Sequence, residues 1–129
     1  MSLRTFTYAY IEALIWSETD EDGEPLDKDF GFEDIHKDSL TILRKDCEKF
    51  YEAYSLVWFD QYLGDLLNDA IDEDSMAGHD FLLTRNGHGA GFWDGDWEES
   101  VEERLAEACK GYGEINLCVG DDGKLHVFP

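Results

Sequence analysis

Basic residues are scarce in this chain. It has 10 Lys and Arg against 31 Asp and Glu in 129 residues, a formal net charge of −21. Electrostatic binding to nucleic acid or anionic lipid needs Lys and Arg at the surface, so this composition argues against both. The acidic excess also opposes folding through self-repulsion, so it is either tolerated for solubility or used. The use that we consider is imitation of a polyanion, which captures a basic protein surface.

Cysteines and long apolar runs are also few. Cys47, Cys109 and Cys118 form no short-spaced pair, which predicts reduced thiols in a cytoplasm, without a disulfide framework or a zinc site. The first residues lack the apolar region and cleavage site of a signal peptide. No apolar run approaches the roughly 20 residues of a membrane span. We therefore expect a cytoplasmic protein without a metal or cofactor.

Apolar residues make up 43% of the chain, which is typical of one folded domain over residues 1–129 rather than of an acidic disordered tail. The part from about residue 5 to 71 is predicted to be helical. Residues 6–16 are apolar nearly all round, and apolar residues recur at helical spacing over 40–57 and again over 59–71. Ser39 is the predicted N-cap of the second helix. Whether 40–71 is one helix or two stays open.

The part from about residue 79 to 128 predicts strands around one helix. Asn86-Gly87 favours a type I′ turn, which predicts a β-hairpin over 79–94. Asp96 and Glu99 have the spacing of a capping box for a helix over 97–110, and a second hairpin is predicted over 114–128. The order is β-β-α-β-β after the N-terminal helices. We therefore predict an α+β fold, in which helices cover a four-stranded antiparallel sheet.

Residues 78–94, GHDFLLTRNGHGAGFWD, resemble a block that recurs in small proteins of bacteriophages and mobile elements. Residues 13–27, with their run WSETDEDGEPLD, resemble the N-terminal part of the same proteins, and 119–123, VGDDG, add to the match. The resemblance implies a phage or mobile-element origin, and hence the cytoplasm of a bacterial host, but no particular activity. In charge and size the chain also resembles phage inhibitors of restriction and CRISPR systems that present a DNA-like surface.

Carboxylates concentrate on the helix predicted over 97–110. Glu99, Glu103 and Glu107 form one column at four-residue steps, and Glu98 and Glu102 form a second beside it. Four residues rise about 6 Å along a helix, close to the separation of successive phosphates along a strand. Acids on a neighbouring helix would extend this field: Asp60, Asp65, Asp69, Asp72, Glu73 and Asp74. We predict a DNA-mimicking face for a basic, nucleic-acid-handling host protein; a merely solvated face is the alternative.

The hairpin predicted over 79–94 offers an alternative site. Its polar side chains are His79, Arg85, Asn86, His88 and Asp94. In a two-residue-turn register His79 pairs with Asp94, whereas the two histidines lie roughly 20 Å apart and cannot share a metal. A small enzyme or ligand-binding domain could use the His79–Asp94 pair. Because no nucleophile accompanies that pair, we expect binding rather than catalysis.

Residues 18–29 imitate a calcium-binding loop. Acids stand at positions one, three, five and twelve, and a glycine stands at position six. Pro25 at position eight and Asp29 in place of the usual glutamate disfavour calcium, so we expect a solvated acidic loop.

Overall fold

The structure is a computed structural model that describes residues 2–20, 22–58, 73–87, 91–92 and 97–128. Over those residues the chain is mostly helical, with four α-helices and one two-stranded antiparallel sheet. The elements are α1 (Leu3–Ser17), α2 (Lys37–Trp58), α3 (Glu73–Arg85), α4 (Glu99–Cys109), β1 (Asn116–Val119) and β2 (Leu125–Phe128). Two short 3-10 helices, Leu26–Lys28 and Phe32–Asp34, lie between α1 and α2.

Helix α1 confirms the helix predicted over 6–16. The Ser2 hydroxyl caps it by accepting the N–H of Thr5 at 3.1 Å. Side chains on most of its circumference are buried: Phe6, Ala9, Tyr10, Ile11, Ala13, Leu14 and Ile15. A helix that is apolar nearly all round has to be surrounded, and α1 packs against both α2 and α3.

Helix α2 confirms the amphipathic pattern over 40–57, but Ser39 is not its cap. The helix begins at Lys37, and Ser39 is buried within it. Its hydroxyl accepts the N–H of Val127 at 3.0 Å, so Ser39 ties α2 to β2. The apolar stripe over 59–71, and with it the question of one helix or two, lies outside the described residues.

The β-hairpin predicted over 79–94 is wrong, because residues 79–85 belong to α3. The Asn86 N–H donates to the Leu82 carbonyl at 3.1 Å, and Gly87 has φ +70°. Asn-Gly therefore supplies a left-handed residue, but that residue follows the end of a helix instead of turning a hairpin. The predicted four-stranded sheet is wrong for the same reason, since the described residues contain only β1 and β2 as strands.

The C-terminal hairpin is confirmed. Strands β1 and β2 pair antiparallel from Asn116 with Phe128 to Val119 with Leu125. The hairpin joins the helices through Leu125, whose carbonyl accepts the N–H of His36 at 2.9 Å.

Helix α4 confirms the helix predicted over 97–110, and Trp97, Val101 and Leu105 are buried. The predicted capping box involves Asp96, which lies outside the described residues. The N-cap residue is Glu98, whose side chain makes no capping hydrogen bond. Helix α4 packs against α2 and α3.

Aromatic rings fill the core where α1, α2 and α3 meet. The Phe6 ring lies 5.3 Å from Trp58 with the planes 4° apart, and Phe50 lies 4.0 Å from Phe81. Gly78 allows this packing, because a Cβ at that position would lie 2.1 Å from the backbone oxygen of Phe6. Helices α1 and α3 therefore approach each other through backbone, without a side chain between them.

We predict that Gly78→Ala destabilises the protein by about 1 kcal/mol, since overpacking typically costs about 2 kcal/mol and the gain in helix propensity offsets about 1 kcal/mol of that cost. Urea denaturation measures the change. Gly111→Ala is the control, because its Cβ would lie 3.8 Å from the Ala108 carbonyl oxygen, an ordinary contact. Equal stability of the two variants would show that the close approach is not a constraint.

Candidate functional site

Helix α4 separates apolar from acidic side chains. Its buried side consists of Val101, Leu105 and Cys109. Its exposed glutamates are Glu99, Glu103 and Glu107, with Glu98 exposed at the N-cap and Glu102 half-buried beside them. We call these five glutamates the α4 acidic face. Of the acids predicted to extend this face, Asp60, Asp65, Asp69 and Asp72 lie outside the described residues. Glu73 begins α3, whereas Asp74 is buried, so its predicted place in an exposed field is wrong.

Arg104 on α4 and Lys110 just after it are the two cations of residues 98–110, against the five glutamates of the α4 acidic face. The Lys110 ammonium lies 2.8 Å from the Glu107 carboxylate, but both side chains are about three-quarters exposed (74% and 73%), so the pair contributes little. Glu99, in the first turn, lies where the helix dipole favours negative charge, whereas Glu107, in the last turn, lies where it does not. The face thus keeps most of its negative charge in contact with solvent.

The predicted hairpin site is not assembled as expected. His79 and Arg85 lie six residues apart on α3, and Asn86 follows the helix. Six residues rise about 9 Å along a helix, and the two side chains have different neighbours: His79 lies beside Trp16, whereas Arg85 lies beside Tyr10. His88 and Asp94 lie outside the described residues.

Arg85 is a structural cation. Its side chain is 4% exposed. Nη1 donates to the Tyr10 hydroxyl and to the Asp46 carboxylate, each at 2.9 Å. Nε donates to the Gly113 carbonyl at 2.9 Å, and Nη2 donates to the Tyr112 carbonyl at 3.0 Å. Burial by itself would lower the pKa of Arg85, but its interactions with Tyr10 and Asp46 outweigh burial and raise that pKa. Arg85 therefore joins α1, α2 and residues 112–113.

Asn86 is also occupied structurally. Its Nδ2 donates to the Ile115 carbonyl, and its Oδ1 accepts the N–H of Ile115, both at 2.8 Å. This pair of bonds fixes the chain just before β1 to the end of α3. Every side-chain nitrogen of Arg85, and both polar atoms of the Asn86 side chain, already make hydrogen bonds within the protein.

We predict that Arg85→Met destabilises the protein by about 3–5 kcal/mol, because it leaves the partly buried Asp46 carboxylate and two carbonyls without their donor. The free energy of unfolding in urea measures the loss. Arg44→Met is the matched control: Arg44 is exposed on α2, and among the described residues it makes no ion pair within 4.0 Å. If both variants unfold at the same urea concentration, the role assigned to Arg85 is wrong.

The acidic loop over 18–29 binds its own backbone. One carboxylate oxygen of Asp20 accepts the N–H groups of Asp22 at 2.9 Å and Glu24 at 3.0 Å. Gly23, with φ +82°, completes the turn. Among the described residues, no group of three or more His, Cys, Asp or Glu side chains is arranged to hold a metal ion.

Negative charges crowd where this loop meets residue 114. Burial raises the pKa of Glu18, and the nearby Glu114 carboxylate raises it further. An acid whose pKa is higher in the folded state than in the unfolded state destabilises the fold at pH values above both pKa values. The penalty disappears below both values, where Glu18 is protonated in either state.

We therefore predict that Glu18→Gln raises the melting temperature at pH 7, and that this gain shrinks as the pH falls through the raised pKa of Glu18 and below its unfolded value. Thermal unfolding from pH 7 down to pH 4 tests this. Glu52→Gln removes the same charge from an exposed position on α2 and controls for the general effect of net charge. The interpretation fails if both variants gain equally at every pH.

Two aspartates on α3, Asp74 and Asp80, are buried, which the sequence analysis did not predict. Asp74 accepts the Trp58 indole N–H at 3.0 Å and the Tyr51 hydroxyl at 3.2 Å. Asp80 accepts the Trp97 indole N–H at 2.8 Å. The apolar residues Ala77 and Phe81, four positions apart, are spaced as on one side of a helix. That spacing could have indicated α3, but the hairpin prediction was preferred to it. Both carboxylates are satisfied acceptors within the core.

The thiols of Cys47 and Cys109 are buried. Burial raises the pKa of Cys109 to about 12 and raises that of Cys47 as well. These two cysteines are therefore protonated and poor nucleophiles at neutral pH.

Sequence reasoning also missed a cleft of about 490 Å³ beside α1. Its main lining side chains are Glu12, Trp16, Asp27, Phe30, Phe32 and His79. The rings of Trp16 and His79 lie 6.2 Å apart. The His79 Nδ1 atom is buried and has no hydrogen-bond partner among the described residues, where the nearest Asp80 oxygen lies 3.9 Å away. We call this the Trp16 cleft.

No protein-family model matches the chain, and no significant match was found among curated proteins or among solved structures. None of the described helices has both the length and the apolar character needed to cross a membrane.

Proposed function

We propose that the chain is a protein-binding module of phage or mobile-element type. Its α4 acidic face occupies a basic, nucleic-acid-handling surface of a host protein in the manner of DNA. The observation that carries the proposal is the exposure of Glu99, Glu103 and Glu107 along α4. They lie on a helix whose other side is held in the core by Val101 and Leu105.

This anchoring supports mimicry because it presents the charges in a fixed geometry. Successive members of the column are about 6 Å apart along the helix axis. Trp97, just before α4, is buried and bonded to Asp80, so the start of the helix is also held in place. A rigid set of charges loses little conformational freedom when it binds, which favours affinity.

The net charge of −21 supports the choice of partner. It attracts a basic surface over a long range, accelerates association and repels nucleic acid itself. The like charges along α4 oppose helix stability by a few tenths of a kcal/mol for each pair, roughly. Binding of a basic partner by these charges would explain why α4 keeps them despite the loss of helix stability.

The alternative, a small enzyme or ligand-binding domain that uses His79 and Asp94, loses its geometric basis. That hypothesis required a hairpin over 79–94, and residues 79–85 form a helix instead. Arg85 and Asn86, the other polar residues of the hypothesis described by the structure, are hydrogen-bonded to the protein itself.

The test uses the triple variant Glu99→Gln, Glu103→Gln and Glu107→Gln. A partner is first captured from bacterial lysate at low and at high salt, and its binding is then measured by surface plasmon resonance. We predict that the triple variant folds normally, since Gln and Glu have similar helix propensities. Its affinity should fall by roughly tenfold or more, mainly through slower association. DNA should compete for the same partner surface.

The matched control is Glu33→Gln, Glu48→Gln and Glu52→Gln, which removes three exposed charges that are not on α4. It should retain most of the affinity. If the two triple variants lose equal affinity for the partner, the effect is one of net charge and not of the α4 acidic face. Unchanged binding of the α4 variant, or binding that is insensitive to ionic strength, would overturn the proposal.

A further inference from the structure

The Trp16 cleft combines aromatic surface with negative charge. Trp16 is 58% exposed, which is unusual for the largest apolar side chain in a protein that buries Trp58 and Trp97. Glu12 precedes Trp16 by four residues on α1, so the two side chains lie on the same side of the helix. Both Glu12 and the facing Asp27 are exposed.

No Lys or Arg belongs to the described lining of this cleft. The nearest lysine in sequence, Lys28, extends to Glu24, with its ammonium 3.4 Å from the Glu24 carboxylate. The carboxylates of Glu12 and Asp27 are therefore the formal charges at the cleft. A cation is attracted to this site and an anion is repelled.

From this geometry we propose that the Trp16 cleft receives the guanidinium group of an arginine side chain from the basic partner protein. The inference rests on the proposed function and adds a specific anchor to it. A guanidinium stacks on an indole face and donates paired hydrogen bonds to a carboxylate, whereas an ammonium does neither as well. The volume of about 490 Å³ lies in the range of small-ligand sites, about 300–1,000 Å³, and leaves room for flanking backbone.

The neighbouring cleft provides an internal comparison. It shares Phe32 with the Trp16 cleft, and its lining includes Tyr8. Its charged lining residues are two cations and two carboxylates, which offset each other: Arg4, Arg44, Glu33 and Glu48. Tyr8 is 57% exposed and its ring lies 4.5 Å from Phe32. Both clefts therefore offer an exposed aromatic ring beside α1, but only the Trp16 cleft combines it with an uncompensated negative charge. Arginine should select the Trp16 cleft.

The test titrates the full-length protein with N-acetyl-arginine amide, followed by the NMR signals of the tryptophan indole N–H groups. N-acetyl-citrulline amide, which has nearly the same shape without the charge, is the control ligand. We expect saturable shifts of the Trp16 indole with the arginine compound and much weaker ones with citrulline. Trp16→Ala should weaken binding about fivefold, whereas Trp16→Phe, which keeps an aromatic face, should weaken it less.

Two glutamine variants separate local from general charge effects. Glu12→Gln should weaken arginine binding, whereas Glu52→Gln, which removes an exposed charge from α2, should not. Equal effects of these two variants, equal binding of citrulline, or shifts confined to other regions would overturn the proposal. The comparison of Glu12→Gln with Glu52→Gln also tests arginine binding in the Trp16 cleft if Trp16→Ala does not fold.

The result is independent of the α4 acidic face. The triple variant Glu99→Gln, Glu103→Gln and Glu107→Gln should bind N-acetyl-arginine amide as the unmodified protein does. Loss of arginine binding in that variant would place the ligand on α4 and refute the cleft. The opposite outcome is also informative. If the unmodified protein does not bind N-acetyl-arginine amide, but the α4 triple variant still loses its partner, then the arginine site in the cleft is refuted and the proposed function is not.

Discussion

The approach of α1 to α3 at Gly78 is the constraint on which the rest of the structure depends. Because Gly78 has no side chain, the backbone of α3 reaches that of Phe6, and the Phe6 ring can stack between Trp58 and Phe81. The same helix pair sets Tyr10 against Arg85 and Trp16 beside His79. One backbone contact thus positions the aromatic core, the buried cation and the Trp16 cleft.

This packing explains how so acidic a chain folds. Asp74 and Asp80 are buried, and each is stabilised by indole donors, while Arg85 supplies a positive charge within the core beside Asp46. The glutamates of the α4 acidic face remain outside. The carboxylates that repel one another are therefore mostly solvated. The same exposed charges attract a basic partner.

Local patterns predicted α1, α2, α4 and the C-terminal hairpin, because each has apolar spacing or turn residues within its own segment. The segment over 79–85 was mispredicted because Asn86-Gly87 suits both a hairpin turn and a helix end. The close approach of Gly78 to Phe6 favours the helix, and it joins distant parts of the chain. The Trp16 cleft likewise combines residues 12–16, 27–32 and 79, so no local pattern could have predicted it.

The central claim, that the α4 acidic face contacts a basic partner, is tested most directly by hydrogen–deuterium exchange on the captured complex. The account predicts slower exchange on binding at the backbone amides of residues 98–110, and smaller protection at high salt, where charge attraction is screened. Protection confined to the exposed side of α2 or to the β1–β2 hairpin, with 98–110 unchanged, would contradict it.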